Sequence, residues 1–356
     1  MMERTAMTGR RSRSPALPDP ELDARGFVGA RSVAERAGVS RSAVSRTFTP
    51  GASVSEETRR RVLTAATELG YHVNHLARGV SGRQTGIVCL VVADIDSPQP
   101  SRMARAITER LQEAGKVAVL LSVGGPSDDI AATLRRALNY RADATVVMSG
   151  TPAQSIVREC LDNGQRLILI SRDDHIVGPD NIRLDNAGAA RTALGLFLQA
   201  GCRRPAVVTT GLGTPSLSAR TDAFVAAARA VGIEPQIVRQ GQMTGYDNGV
   251  AAAHQLFAAP LRPDAVFCVN DITAFGLIDA ARHEFGLRVP EDLSVIGFDN
   301  VQQAGWLSYQ LTTFDHPVAD IAGHVAALAS KSRDDRMAPT RIELAPDLVW
   351  RRSVRI

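Results

Sequence analysis

From Arg31 to Leu69 the apolar residues of this chain recur every three or four positions; beyond Thr85 they gather into short unbroken blocks. The first pattern predicts helices. Val33 and Ala34 face inward on a first short helix and Ala37 packs at its end, where Gly38 supplies the left-handed conformation that stops it. Val39 fills the gap between helices, Ser40 caps a second one, and Ala43 and Val44 pack it against the first. Arg41, Ser42, Ser45 and Arg46 lie on its other faces. A third helix opens at Val54-Ser55-Glu56-Glu57-Thr58, with Ser55 as N-cap and two acids where the helix dipole favours them. Val62, Ala66 and Leu69 keep its period and Gly70 ends it. By themselves these helices describe any small bundle as well as a helix–turn–helix reader.

The second pattern predicts alternating strands and helices. Residues 86–94 form a near-continuous apolar run, as a parallel strand buried on both faces requires. Residues 117–123, 144–148 and 167–170 repeat it, with helices at 103–114, 128–138 and 154–163 between. Residues 181–186 cross into a second such unit. Its strands are 206–210, 236–239, 264–270 and 294–298, and its helices start near Asn186, Ala219, Gly245, Asp271 and Gln302. Residues 311–314 cross back, a helix runs from Val318 to about Ser330, and 341–350 supplies closing strands. Two doubly wound units joined by three crossings result.

The residues around the first pattern carry a specific resemblance. Ala34-Glu35-Arg36-Ala37-Gly38-Val39-Ser40, then Val44-Ser45-Arg46, then Gly70-Tyr71 with Asn74, Ala77 and Arg78, resembles the headpiece of the lactose-repressor/galactose-repressor (LacI–GalR) family of transcriptional regulators. The likeness continues through most of the chain. It implies an N-terminal all-α helix–turn–helix headpiece plus an α/β periplasmic-binding-protein-like core of two doubly wound subdomains. The expected divisions are a basic tail at 1–28, the headpiece at 29–70, a hinge helix at 71–84 and the core at 85–356. Within the core, subdomain 1 is expected at 85–184 and 314–332, and subdomain 2 at 185–313 and 341–356.

The same resemblance places DNA contacts. Arg41, Ser42 and Arg46 would read major-groove edges, arginine on guanine being the commonest such contact. Ser40, Ser45, Ser55, Thr58 and Tyr71 would position on phosphates. Asn74, Ala77 and Val80 would work in the minor groove, the hinge being too short to hold its helix in water unaided. Val80 stands where the family has a larger leucine wedge, and Val73 where it has a proline; both weaken the expected hinge.

Charge adds direction. The chain carries +4 overall, but residues 1–83 hold 14 arginines and 8 acids, so the remainder is slightly acidic. Arg4, Arg10, Arg11, Arg13 and Arg25 in the Ser/Pro-rich start supply most of that excess, and no apolar core follows them as a secretory signal requires. Cys89, Cys160, Cys202 and Cys268 stand singly, without metal or disulfide spacing, as in a reduced bacterial cytoplasm. No run is long enough to span a membrane.

Ligands of paired open sheets bind beyond the strands' carboxyl ends. The polar residues there are Asp94, Asp96, Ser171, Arg172, Asp185, Arg220, Asn270, Asp271 and Asp299. The segments around Ser218-Ala219-Arg220, Asn270-Asp271 and Gly297-Phe298-Asp299-Asn300 resemble the family's effector-binding segments, implying a small polar metabolite, a sugar or its like. One departure stands out. The family's aromatic turn after the first strand reads Ser97-Pro98-Gln99-Pro100 here, which removes a stacking face that Phe275 or Trp306 would have to replace. His175 and His316 read as loop residues.

Three functions compete on these grounds. A dimeric repressor on a pseudo-palindromic operator, controlled by an effector in the cleft, uses every feature. A dimer is expected over a tetramer, since no long heptad tail follows the core. A solute-binding protein of the same core fold would need a secretory signal and no headpiece. An enzyme would need chemistry that is missing: there is no Gly-x-Gly-x-x-Gly after a strand, no phosphate-binding loop and no metal-spaced His/Cys cluster. Neither cofactor nor metal is expected.

Overall fold

The computed structural model describes residues 27–49, 51–73, 84–123, 130–148, 151–171, 177–211, 214–242, 244–331 and 338–355. The basic tail up to residue 26, the hinge candidates Asn74, Ala77 and Val80, Arg172 and His175 lie outside them. The chain divides into two compact units, Met1–Ser81 and Gly82–Ile356.

The first unit is a bundle of α1 (Ala30–Ala37), α2 (Arg41–Thr47) and α3 (Glu56–Leu69). Val33, Val44 and Val62, one from each helix, are fully buried together with Ala34, Ala37, Ala65 and Ala66. Small side chains let such short helices approach closely; no single helix of this length would hold in water. Gly38 ends α1 with φ 61°, and Gly70 ends α3 with φ 65°. Both are the left-handed stops that the pattern predicts.

The second unit contains two six-stranded sheets. The first includes β1 (Ile87–Ala93), β2 (Val117–Val123), β3 (Ala144–Val147), β4 (Arg166–Ile170) and β5 (Asp180–Leu184). Its helices are α4 (Pro98–Glu113), α5 (Ile130–Asn139) and α6 (Gln154–Asp162). The second includes β6 (Pro205–Thr209), β7 (Gln236–Arg239), β8 (Ala265–Cys268), β9 (Ser294–Phe298) and β10 (Thr312–Asp315). Its helices are α7 (Asn186–Gln199), α8 (Pro215–Ala230), α9 (Tyr246–Phe257) and α10 (Asp271–His283). Helix α11 (Val318–Ser330) then packs on α4 in the first lobe, before the short closing strands β11 (Arg341–Leu344) and β12 (Asp347–Val349).

Strand order is β11-β5-β4-β3-β1-β2 in one sheet and β12-β10-β9-β8-β6-β7 in the other, with only β12 antiparallel. β1 lies inside its sheet and is buried along nearly its whole length, which is why its sequence is an unbroken apolar run. β2 is an edge, and Val117 and Leu120 are exposed on it.

Several expected boundaries change. Arg341–Leu344, expected in subdomain 2, pairs in parallel with β5 of the first lobe, Arg341 opposite Asn181 and Leu344 opposite Leu184. The Thr340 amide donates to Asp180 Oδ1 at 2.8 Å just before the strand begins. A four-residue strand carries too little pattern to name its sheet; pairing with a distant edge chooses it. Thr312–Asp315, expected to cross back, is a strand of the second sheet, paired with β9, so the crossing comes after it. Near Gln302 there is only a single 3-10 turn, Gln302–Gly305. The turn Ser97-Pro98-Gln99-Pro100 is in fact the start of α4: prolines in a first helical turn need no amide hydrogen.

Candidate functional site

In the first unit, α2 buries Ala43, Val44 and Thr47 and turns Arg41, Ser42, Ser45 and Arg46 outward. Among the described residues neither Arg41 nor Arg46 is held in an ion pair, whereas Arg36 is paired with Glu68 at 2.6 Å. The turn that aims α2 is braced from α3, where Arg61 Nη2 donates to the Gly38 carbonyl at 3.1 Å. Two of the hydroxyls expected on phosphates, those of Ser40 and Ser55, cap helices here. Ser40 accepts the Ala43 amide at 3.2 Å, and Ser55 accepts the Thr58 amide at 3.2 Å and donates to the Thr58 hydroxyl at 2.9 Å. Tyr71 is half-buried, its ring 5.6 Å from Phe48.

In the second unit the strand order does the assembling. Because β8, β9 and β10 are neighbours, the residues that follow them come side by side: Asn270 and Asp271, then Asp299, then His316. Helix α8 brings Arg220 onto the same end. Its guanidinium carbon lies 3.5 Å above the Phe298 ring, Nε donates to Asn186 Oδ1 at 3.1 Å and Nη1 to the Val269 carbonyl at 2.8 Å. Nη1 is also 3.8 Å from Asp299 Oδ1, which His316 Nε2 meets from another side at 2.9 Å.

Arg220 is only 4% exposed, and burial pulls it down to about 10 against the upward pull of Asp299 and then Asp271. It stays charged at neutral pH. Asp271 is pushed well above the usual carboxylate range, by burial first and by the negative Asp299 second. Asp299 itself has φ 114° and Asn300 φ 48°, conformations that L residues keep only where their surroundings impose them.

Of the nine residues proposed for ligand contact, the eight that are described therefore separate, Arg172 lying outside them. Arg220 and Asp299 come together. Asp271 is fully buried, and both its oxygens are engaged inside the protein, by the Val301 amide at 2.9 Å and the Thr313 hydroxyl at 2.6 Å. It braces the Asp299 turn, where ligand contact was expected. Asn270 and Asp185 cap α10 and α7, accepting from Thr273 and Gly188. Asp94, Asp96 and Ser171 stand at the ends of β1 and β4, and no hydrogen bond among the described residues joins them to Arg220. Phe275 is core, stacked on Tyr309 at 4.2 Å, while Trp306 is half exposed.

Three members were not legible as site residues. His316, read as a loop residue, is 7% exposed and bonded to Asp299. Asn186 and Phe298 hold the Arg220 guanidinium. The one available signal was position, since each borders a strand of the second sheet or a crossing next to it. Among the described residues no cluster of His, Cys, Asp and Glu could hold a metal ion.

A helix–turn–helix reader followed on one chain by a two-lobed α/β core, with a polar cluster at its strand ends, defines a regulator with a periplasmic-binding-protein-like sensor. Comparison with known proteins agrees. The pattern of bacterial regulatory proteins of the lacI family matches residues 31–74, and that of a periplasmic binding protein-like domain matches residues 194–354. The HTH-type transcriptional repressor PurR of Serratia proteamaculans is 30% identical over 331 residues, 91% of this chain and 96% of that protein. The HTH-type transcriptional regulator DegA of Bacillus subtilis is 28% identical over 327 residues, 90% and 96% of the two chains. Among solved structures, the lac repressor dimer bound to operator and the anti-inducer ONPF has a TM-score of 0.80 at 21% identity, over 93% of this chain and 100% of that one. A CelR–cellobiose complex has a TM-score of 0.65 at 26% identity, over 91% and 99%. The chain belongs to the lacI family of bacterial regulatory proteins.

Proposed function

We propose that the protein is a transcriptional repressor that binds an inverted-repeat operator as a homodimer and is controlled by a small polar effector between its lobes. The observation that carries this is the α2 surface: Arg41, Ser42, Ser45 and Arg46 exposed together, with the opposite face locked into the bundle. A packed helix with exposed arginines that no ion pair holds among the described residues, Arg41 in its first turn and Arg46 in its last, is what major-groove readout requires. Ser40, Ser55, Thr58 and Tyr71 serve this first by shaping the helix starts and packing the bundle; contact with phosphate is their second proposed role.

For the effector we assign Arg220 as donor and Asp299 as acceptor. Oδ1 of Asp299 faces Arg220 and His316, and we assign Oδ2, on which no hydrogen bond falls among the described residues, to a ligand hydroxyl. Asp96 and Ser171 are proposed to close from the first lobe. Dimer formation is supported by apolar side chains that a lone chain leaves in water: Val117 and Leu120 on the first lobe, Trp306 and a 92% exposed Leu307 on the second. Linkage requires that operator and effector alter each other's affinity equally.

Selection of duplexes from a random pool by the full chain, followed by fluorescence anisotropy across salt, tests the reading. The expected result is an inverted repeat whose affinity falls steeply with salt. Equal affinity for all duplexes overturns it. A thermal-shift screen of sugars, polyols and nucleobases on the same protein identifies the effector class.

A further inference from the structure

Two polar side chains one turn apart on α4 leave the first lobe and end on the second. Arg102 Nη1 and Nη2 donate to the two carboxylate oxygens of Asp315, the last residue of β10, at 2.8 and 3.2 Å. Gln99 Nε2 lies 3.5 Å from Nδ1 of His316, the next residue, at the long limit of a hydrogen bond. These partners are 213 and 217 residues apart in sequence. They meet where the chain passes from β10 back to α11.

Both contacts lead to the same place. Asp315 Oδ2 also accepts Asn300 Nδ2 at 2.9 Å, and Asn300 Oδ1 accepts Arg351 Nη2 at 2.7 Å. With Gln99 donating to Nδ1, the imidazole hydrogen sits on Nε2 and points at Asp299 Oδ1, 2.9 Å away. The Asp299–Asn300 turn, with both residues at positive φ, is therefore held from α4 by two routes. The prolines flanking Gln99 stiffen the turn of helix from which the routes start.

We propose that Arg102 and Gln99 are positioning residues that tie the Asp299–Asn300 turn to the opposite lobe through Asp315 and His316, so that the lobes cannot part without loosening that turn. An effector that engages Asp299 then acts on α4 as well. This last consequence rests on the proposed role of Asp299; the tie itself does not.

Hydrogen exchange of the full chain, read at the amides of Asp299, Asn300 and Val301, tests the tie without DNA or effector. Arg102→Ala and Asp315→Asn should each speed exchange there about fivefold, and Arg102→Lys, which keeps a charged donor for Asp315 and leaves its bond to Asn300 intact, should stay within about twofold of the original chain. Because Arg102 is partly exposed, raising salt from about 0.1 M to about 1 M should speed the same amides in the original chain and leave the Arg102→Ala variant unmoved. Gln99→Ala should give a smaller change in the same direction. A brace confined to the first lobe would speed the α4 amides and leave residues 299–301 alone; that result, or Arg102→Lys exchanging as fast as Arg102→Ala, overturns the proposal. A chain that binds no operator would overturn the functional reading and leave this experiment standing.

Discussion

Replacing Arg220 by Ala removes four interactions at once. The bonds to Asn186 and to the Val269 carbonyl go, with the contact on the Phe298 ring and the positive charge 3.8 Å from Asp299. A buried acceptor left unpaired costs about 1–3 kcal/mol. Breaking a buried ion pair from one side costs about 3–5 kcal/mol, because a charge is left without its partner. At 3.8 Å the pair is loose, and His316 still holds Asp299, so these figures overlap and do not add. The expected loss is roughly 3–5 kcal/mol near neutral pH, a large share of the roughly 5–15 kcal/mol that holds a domain together. Asp299→Asn removes the stranded charge, so the double variant should recover about 1–2 kcal/mol of that loss. Both tryptophans, Trp306 and Trp350, lie in the second half of the chain and report its unfolding in urea by fluorescence. If the single and double variants unfold at the same urea concentration, Arg220 and Asp299 are not coupled, and the site is built otherwise.

The remaining predictions concern both units. Arg46→Ala should weaken binding to the selected operator by about 1–3 kcal/mol and relax base choice at one position, read by anisotropy against duplexes mutated there. Gly38→Ala forces a left-handed backbone on an L residue and drives its Cβ to within 2.6 Å of Arg61 Nη2; a cost of about 1–2 kcal/mol in melting, with weaker operator binding, is expected. Asp271→Asn tests the raised carboxyl. An acid whose folded value lies above its unfolded one destabilises the fold as pH rises from the unfolded value upward. The melting temperature of the variant relative to the original chain should therefore climb with pH from about 4. A difference flat in pH would show that Asp271 titrates alike in both states.

How much of this was written in the chain depends on the range over which each feature is decided. Helices α1 to α3 announced themselves through spacing, caps and glycine stops, all of which act within a few residues. The apolar runs of β1, β8 and β9 declared buried parallel strands for the same reason. Arg220 and Asp299 were visible as polar residues near strand ends, and with them the resemblance to a family.

What the pattern left open was settled between residues far apart. Arg341–Leu344 has no apolar signature that names a sheet, and pairing with β5 chose one. Asp271 looked like a ligand contact until the amide of Val301 and the hydroxyl of Thr313 were seen to enclose it. His316 became part of the site only because β10 lies beside β9, which sets its ring against Asp299. Local periodicity reflects which face of an element is dry; which side chains then meet depends on strand order and register, and those are chosen by the packing of the whole core.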